Sequence, residues 1–474
     1  MQGVIDTSEK QDGIPLAFGF ALLVSFLFGL SISFSRGFYS DIGLAVAVMA
    51  LCVLIFHYCQ LFLPELPALP AATALKGLIW TGLLGLIFTG WNDGGLLMYP
   101  AKHLDSARLA QAAIILILFS YLPAIVTRWS EPAILRYLRI LALAAMVMIG
   151  GIDVIRSSPH PPIDVWTVQQ QGAVVLLEGK NPYQYLALKD TDGLRHAHDV
   201  PYVYPPLQLL FTLPAYQLLG DVRYAMLLAI VITGATLRWI VQMAPQPLPS
   251  VCEDAPALFF WLCPKLFFIL EQAWVDPIQV MLISLTVVAH LSKRPILTAV
   301  LMGLTLTSKQ TMFWMVGLGG LMFGFTFRQW LITAVAGAAS VLPFALWNFE
   351  ALQHATYSFV NALPPRPDAL TLGNWLSNKF AVQVSPRWAF PVAGAVAGLS
   401  VWKLRGSVAR FGVAVVLTYA AFFVINKWAF ANYYFLLMAL AALAAACTLH
   451  GESGTPTPPP PPSRQRDGSR EGSC

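Results

Sequence analysis

Apolar runs of about 20 residues recur from about Ile14 to Leu449, with polar breaks between them. An α-helix rises about 1.5 Å per residue, so a run of this length can cross the ~30 Å hydrocarbon core of a bilayer. The pattern predicts an all-α polytopic membrane protein of about 13 to 14 transmembrane helices. The lower number applies if the two runs at 295–307 and 310–325 form one kinked element. The predicted spans lie near residues 14–34, 42–63, 74–91, 108–127, 134–152, 222–243, 255–270, 276–291, 295–307, 310–325, 328–348, 386–402, 407–425 and 430–449.

Basic residues in the short connections set the expected orientation, because such loops remain on the cytoplasmic side. All basic clusters share that side only if the segment 206–219 does not span. Its length, about 21 Å as a helix, falls short of the hydrocarbon core, so we interpret it as re-entrant or as lying at the outer interface. Both termini are then cytoplasmic, the loops 153–205 and 349–385 lie outside, and the first apolar run is retained as a span. The basic clusters are Arg128, Arg136 and Arg139; Lys293 and Arg294; Arg328; and Lys403, Arg405 and Arg410.

Composition excludes several classes of protein. With 57% hydrophobic and 11% charged residues, the chain has too few charges to solvate the surface of a soluble enzyme of 474 residues. The net charge of +5 is spread over many loops, so no nucleic-acid partner is expected. The six cysteines lack CxxC spacing and predict neither a disulfide framework nor a zinc site.

Residues 450–474 form a Pro-rich tail that we expect to be disordered and cytoplasmic; its proline run could alternatively bind an SH3-like partner.

The first long outer loop carries the candidate chemistry. From Asp164 the sequence DVWTVQQQGAVVLLEGKNPY predicts a short helix along the membrane surface, with Asp164 as its N-cap. Gly179 and then Asn181 followed by Pro182 end this helix. The loop returns to the bilayer through PYVYPPLQLL, which contains Tyr202 and Tyr204. Capping remains an alternative role for Asp164, and an interfacial aromatic belt remains an alternative role for the tyrosines.

Asp164 after a membrane helix, then GKNPY, then YPPL opening the next apolar run resembles the GT-C superfamily of integral membrane glycosyltransferases. The match is closest to the bacterial branch of polyprenyl-phosphate-mannose-dependent mannosyltransferases, and it covers residues 134–449. The resemblance implies a GT-C-like core over that range, an N-terminal extension of four helices over residues 1–133, and an active site outside the bacterial cytoplasmic membrane. It also implies a polyprenyl-phosphate-sugar donor carrying a mannose-like hexose or a pentose, a lipid or glycan acceptor, and Asp164 as general base. A sugar on a lipid phosphate already has a good leaving group, so one base and nearby cations suffice, and in-line attack inverts the anomeric carbon. No cofactor is expected beyond the lipid-linked donor.

Lysines near the outer ends of the spans are candidates for binding the donor phosphate. Lys309 lies in TSKQT beside Gln310, and Lys427 lies in NKWAFANYY beside Asn426, Asn432 and Tyr433. Ionisable residues at membrane depth usually line a pathway or a site, although Lys309 could instead snorkel to lipid headgroups. Arg366 in PPRPD is a third candidate, with a solvated charge as the alternative, and Lys265 lies deep in an apolar run. The full predicted substrate-binding set is Lys309, Gln310, Lys427, Arg366, Tyr183, Tyr204, Asn181 and Gln169.

A second acidic site occurs in EQAWVDP, where Glu271 and Asp276 flank an outer turn. Either residue could orient the acceptor or share the proton transfer with Asp164, and Asp276 could equally cap the helix that begins at Pro277. His196 and His198, near three aspartates, could bind a divalent cation, but a solvated polar loop explains them as well. No metal site is therefore predicted.

Two other functional classes remain open. A transporter or lipid flippase would use broken helices and Lys265 along a translocation path. Many transporters consist of two related halves, and the second half of this chain contains no counterpart of GKNPY or YPPL. A non-catalytic scaffold would not require an acid, a surface helix and an outer lysine on one face.

Overall fold

The computed structural model describes residues 16–35, 37–62, 76–77, 79–85, 104–123, 131–185, 200–245, 248 and 250–450. Apart from isolated β-bridge positions, at Phe38 with Ala369 and at Val200, the regular structure of these residues is helical. Helices prevail because an apolar segment in lipid must satisfy its own backbone hydrogen bonds. The chain is an all-α polytopic membrane protein, as the apolar pattern predicts.

The labelled helices follow one another in chain order. They are α1 Leu16–Ser31, α2 Asp41–Gln60, α3 Leu104–Phe119, α4 Ala133–Ser157, α5 Asp164–Leu177, α6 Pro182–Tyr185, α7 Pro206–Leu219, α8 Arg223–Gln242, α9 Ser250–Trp261, α10 Leu266–Glu271, α11 Asp276–Leu291, α12 Pro295–Leu306, α13 Phe313–Met322, α14 Phe327–Gln353, α15 Phe359–Ala362, α16 Leu372–Phe380, α17 Ala389–Leu404, α18 Val408–Ile425 and α19 Ala431–Thr448. Short 3-10 turns cover Gln310–Met312 and Pro386–Trp388, and a turn of π-helix covers His354–Ser358.

Six helical stretches of the described residues are long and apolar enough to cross a membrane on their own. Shorter apolar helices, including α1, α11 and α12, accompany them. The number of crossings near 14 therefore stays a prediction. The six stretches are Asp41–Gln60, Ala133–Ser157, Arg223–Gln242, Phe327–Ala362, Val408–Ile425 and Ala431–Thr448.

The helices run between two ends of one bundle. At the first, which we call the cavity end, α4 ends and α8, α11 and α19 begin; Arg223 at the start of α8 donates to the carbonyl of Ile155 in α4 (3.2 Å). At the opposite, basic end, a ring nitrogen of His450 lies 2.8 Å from the carbonyl of Ile240, and the amide of Gly406 donates to Met322 (3.0 Å). The connections that carry Lys293, Arg294, Arg328, Lys403, Arg405 and Arg410 meet there, as the orientation argument requires.

Helix α7 does not cross the bundle. Its first turn follows Tyr204 at the cavity end, and Gly220 in left-handed conformation (φ +78°) ends it. The carbonyl of Gly220 accepts a hydrogen bond from Gln170 of α5 (2.6 Å). Because both ends of α7 lie at the cavity end, the segment lies across that end, in agreement with the interpretation that it does not span.

Three local predictions are wrong. The predicted span 255–270 is two helices, α9 and α10, separated by a break at Leu262 to Lys265, where Pro264 cannot continue the hydrogen-bond ladder. The predicted span ending at residue 348 leaves helical φ/ψ at Asn348, but helix resumes and continues to Ala362. Asp164 is the first residue of α5 and not its N-cap, which is Ile163.

The core is centred on α19, which is buried along almost its whole length. Its small residues allow close helix packing, and a Cβ on Gly412 of α18 would lie 2.8 Å from Ala444. Helix α1 packs along α19, where Ser25 donates to the carbonyl of Met438 (3.0 Å). Tyr58 of α2 bonds to Ser400 of α17 (2.7 Å). The first two helices are therefore built into the C-terminal half of the bundle.

Candidate functional site

A cavity of about 670 Å³ opens at the cavity end, a volume typical of small-molecule sites. Its walls come from segments that lie far apart in sequence but meet where the helices begin and end. The lining residues are Phe38, Pro162, Ile163, Asp164, Val165, Val200, Val203, Tyr204, Phe268, Gln272, Trp274, Val275, Asp276, Lys309, Gln310, Phe359, Val360, Leu363, Pro364, Arg366, Trp428, Phe430, Asn432 and Tyr433.

Asp164 lines this cavity from the first turn of α5. Three prolines, at positions 159, 161 and 162, separate it from α4 and stop that helix from continuing, so the new helix starts at the wall. One carboxylate oxygen accepts the amide of Val165 (2.9 Å). Within the described ranges no side chain donates to Asp164, and the N-terminal dipole of α5 favours its negative charge. The carboxylate therefore retains hydrogen-bonding capacity towards a ligand.

Asp276 faces the same cavity in a different state. It is fully buried at the start of α11. One oxygen accepts from Lys309 Nζ (2.7 Å) and the other from Asn432 Nδ2 (3.0 Å). The Lys309 ammonium also lies 4.7 Å from the centre of the Tyr433 ring. Asp276 thus anchors a lysine in the wall, and removing one partner of such a buried pair is strongly destabilising.

The pKa of Tyr204 shows the influence of both carboxylates, Asp164 and Asp276. Burial raises the pKa of its phenol well above the ordinary value, and the negative charges of Asp164 and Asp276 raise it further. Both carboxylates therefore act on one ring, and Tyr204 remains a neutral hydroxyl at physiological pH. Its backbone carbonyl accepts a hydrogen bond from the Tyr183 hydroxyl (2.7 Å).

Several predicted site residues support the wall and do not line it. Gln169 is buried and donates to the carbonyl of Ala273 (2.6 Å). Asn181 accepts the amide of Tyr183 (3.0 Å), which places the Tyr183 hydroxyl on the backbone of Tyr204. Glu271 is buried at the end of α10 and is absent from the cavity lining among the described residues. Of the two predicted acids, Asp276 lines the cavity and Glu271 does not, and the catalytic role of Glu271 stays a prediction.

Of the two other predicted cations in this region, Arg366 lines the cavity and Lys427 does not. Arg366 lines the rim, where it is paired with Asp368 (2.5 and 3.0 Å) and lies 4.7 Å from the centre of the Phe430 ring. Lys427 is not in the lining. Its ammonium donates to the carbonyls of Val360 (2.8 Å), Asn361 (3.3 Å) and Leu363 (2.8 Å), and burial lowers its pKa. Lys427 thus fixes α15 and the residue that follows it, and its role at a donor phosphate stays a prediction.

Gln310 joins two walls. Its side-chain amide donates to the carbonyls of Val203 (2.6 Å) and Thr356 (3.2 Å) while the residue lines the cavity. The predicted cluster of Lys309 and Gln310 is therefore present at one wall. Lys265 lies outside this wall, buried at the break between α9 and α10.

Sequence reasoning missed the contribution of the first helical hairpin. Phe38 lines the cavity, and the amide of Tyr39 donates to the carbonyl of Asp368 (2.8 Å). Gly37 has a positive φ of 79°, and a Cβ there would lie 2.0 Å from the amide of Ala431. Only glycine fits this approach, which holds the start of α19 and therefore Asn432 beside Asp276. The glycine in RGFYSD was the available signal, but nothing in the sequence indicates its neighbour.

The aromatic lining was also missed in part. Trp274 packs edge-on against Phe268 (5.3 Å between ring centres), and Phe430 packs against Phe38 (6.1 Å). Together with Tyr204 and Tyr433 these rings give the cavity apolar faces beside its charges. Such a wall suits a ligand with an apolar face and polar edges, such as a sugar.

The described residues contain no group of three or more His, Cys, Asp or Glu side chains able to hold a metal ion. His196 and His198, with Asp190, Asp192 and Asp199, lie outside the described residues, as do Arg128 and the tail beyond residue 450. Comparison with protein-family models, curated proteins and solved structures gives no match to this chain.

Proposed function

We propose that this protein is a membrane glycosyltransferase that transfers a sugar, mannose-like hexose or pentose, from a polyprenyl-phosphate donor to a lipid or glycan acceptor. One observation carries the proposal: Asp164, a carboxylate with no side-chain donor among the described residues, lines the same cavity as the cation Lys309. A base and a cation facing one space are the two groups that this reaction requires. The choice of donor rests on the resemblance of Asp164, GKNPY and YPPL to GT-C enzymes.

In the proposed reaction the acceptor hydroxyl oxygen bonds to the anomeric carbon as the bond from that carbon to the phosphate oxygen breaks. The hydroxyl proton passes to Asp164. The electron pair of the broken bond stays on the lipid phosphate, whose negative charge faces Lys309. Attack from the side opposite the phosphate inverts the anomeric centre. Because the phosphate is a good leaving group and needs no acid, one carboxylate suffices, whereas glycoside hydrolysis usually requires two. Asp276 keeps its ion pair with Lys309 (2.7 Å) and thereby holds that lysine at the wall.

The location of the cavity in the bundle supports a reaction outside the cytoplasm. The basic connections at the basic end favour the cytoplasmic side. The cavity lies at the other end, so the positive-inside rule directs it outwards. A lipid-linked donor can reach it from the bilayer, and an acceptor can reach it from the aqueous side.

The test is transfer of radiolabelled sugar from a panel of synthetic polyprenyl-phosphate sugars, mannose first, to a membrane-lipid extract. Purified wild type is compared with Asp164→Asn, which keeps an oxygen for the amide of Val165 but removes the base. Glu178→Gln is the matched control, because Glu178 follows α5, pairs with Lys180 and lies outside the cavity lining. We expect transfer by wild type and Glu178→Gln, and a loss of about 10²-fold or more in Asp164→Asn.

Equal transfer by wild type and Asp164→Asn would remove Asp164 from the role of base. Absence of transfer by wild type with every donor in the panel would overturn the glycosyltransferase proposal in favour of a transporter or flippase. Inversion is checked separately by NMR of the product's anomeric proton.

A further inference from the structure

The turn between α10 and α11 holds an unusual side chain in the cavity wall. Gln272 caps the C-terminus of α10 and is 2% exposed, yet it belongs to the cavity lining. Its Nε2 is buried and has no hydrogen-bond partner among the described residues. A buried amide donor without an acceptor lowers the stability of the folded protein. An acceptor on a bound ligand would remove this cost.

The turn holds Gln272 in place independently of its amide. Ala273 has a positive φ of 54°, a conformation that is costly for a residue with a Cβ. The turn closes through the amide of Trp274, which donates to the carbonyl of Ile269 (3.2 Å), and Gln169 donates to the carbonyl of Ala273 (2.6 Å). A strained turn held by a second glutamine fixes the position of Gln272 before any ligand binds.

The lining residues next to Gln272 in sequence offer no acceptor side chain. Phe268, Trp274 and Val275 are apolar or aromatic, and the carboxylate of Asp276 is occupied by Lys309 and Asn432. A methionine at position 272 would fill a similar volume without an amide to satisfy. Among the described residues, no acceptor satisfies the Nε2 of Gln272.

We propose that Gln272 donates a hydrogen bond to a hydroxyl oxygen of the sugar bound in the cavity and thereby selects which sugar is accepted. This inference rests on the proposed glycosyltransferase function. A neutral donor suits a neutral hydroxyl, whereas a phosphate is matched by Lys309 and Arg366 in other parts of the wall. The ring of Trp274, two residues away, offers a face for the apolar side of the same sugar. Gln272 is a specificity residue and takes no part in proton transfer.

The experiment compares wild type with Gln272→Met and uses Gln208→Met as the matched control. Gln208 is also fully buried with an unpartnered Nε2, but it is absent from the cavity lining. For each variant, kcat/KM is measured with the preferred donor and with its monodeoxy analogues, and thermal unfolding is measured in the same detergent. We expect Gln272→Met to lose at least tenfold in kcat/KM with the full sugar and to unfold no earlier than wild type.

The decisive result concerns a single analogue. The sugar that lacks the contacted hydroxyl should react equally with wild type and Gln272→Met, since neither complex then contains the hydrogen bond. Gln208→Met should discriminate among the analogues as wild type does. Equal losses for every analogue, or no loss for the full sugar, would overturn the role of Gln272.

A binding arm separates this inference from the proposed function. Quenching of tryptophan fluorescence by the free sugars is measured for wild type, Gln272→Met and Gln208→Met. If wild type transfers nothing but binds a sugar tenfold or more tightly than Gln272→Met does, the transfer proposal fails and the role of Gln272 stands. If wild type binds no sugar, the inference fails.

Discussion

The two ends of the bundle use the same residue types in opposite ways. At the basic end, arginines and acids neutralise one another: buried Arg238 pairs with buried Asp254 (2.6 Å), and half-buried Arg136 pairs with half-buried Glu253 (3.2 Å). The Tyr121 hydroxyl donates to the second oxygen of Asp254 (2.7 Å). At the cavity end, the Asp276 and Lys309 pair is equally satisfied, but Asp164 lines the cavity with the backbone amide of Val165 as a donor and no described side-chain donor. A buried charge is therefore not by itself evidence of a functional site.

What distinguishes the cavity end is an unfilled bonding capacity beside a volume that a ligand can occupy. The acids of the basic end, which lie in α9, bind Arg136 of α4, Arg238 of α8 and Tyr121 in the turn after α3. A charge that is satisfied by its own chain contributes to the fold. A charge that is held in place by backbone and left facing a cavity is available to a substrate.

The largest effect is expected from Lys309→Met. This change leaves the buried carboxylate of Asp276 with only Asn432, so stability should fall by about 3–5 kcal/mol and transfer should be lost. Unfolding by denaturant and transfer of labelled sugar measure the two effects. The double variant Asp276→Asn with Lys309→Met removes both charges and should recover most of the stability without recovering transfer. If the double variant recovered both stability and transfer, the Asp276 and Lys309 pair would have only a structural role, like the ion pairs of the basic end.

The second effect separates the two ends directly. Arg238→Met leaves Asp254, which is fully buried, with only the Tyr121 hydroxyl, and should cost about 3–5 kcal/mol of stability. Transfer per folded molecule should stay at the wild-type level, since Arg238 lies at the far end of α8 from the cavity. Asp164→Asn should instead lose transfer while its stability changes by less than about 1 kcal/mol. A loss of transfer per folded molecule in Arg238→Met would contradict the distinction between the two ends of the bundle.

The smallest effect concerns two glycines with positive φ. Gly37→Ala at the cavity end and Gly324→Ala at the basic end (φ +79° and +67°) each force a side chain into the left-handed region, at about 1–2 kcal/mol. A Cβ at Gly324 meets nothing within 4 Å, whereas one at Gly37 collides with Ala431. Gly37→Ala should therefore lose a further 1–3 kcal/mol, roughly, and lower kcat by displacing Asn432. Equal unfolding midpoints for the two variants would contradict the close approach.

Sequence patterns predicted the elements near the candidate site better than its contacts. The helix predicted from Asp164 and its end at Gly179 (φ +71°) are present, because N-terminal acids and C-terminal glycines act within one turn. The roles of the lysines could not be predicted in the same way. Lys309 and Lys427 both follow apolar runs beside polar residues, yet one binds Asp276 and the other binds three carbonyls.

The sequence by itself determined the membrane class, most helix positions and the gathering of basic residues at one end, since these follow from local hydropathy and from the alternation of antiparallel helices. It also singled out Asp164, Asp276 and Lys309. Only the tertiary structure decided that Asp276 holds Lys309, that Glu271 and Lys427 stay out of the cavity, and that Phe38 and Gln272 enter its wall. These outcomes depend on contacts between residues far apart in the chain, and such contacts leave no periodic signal in the sequence.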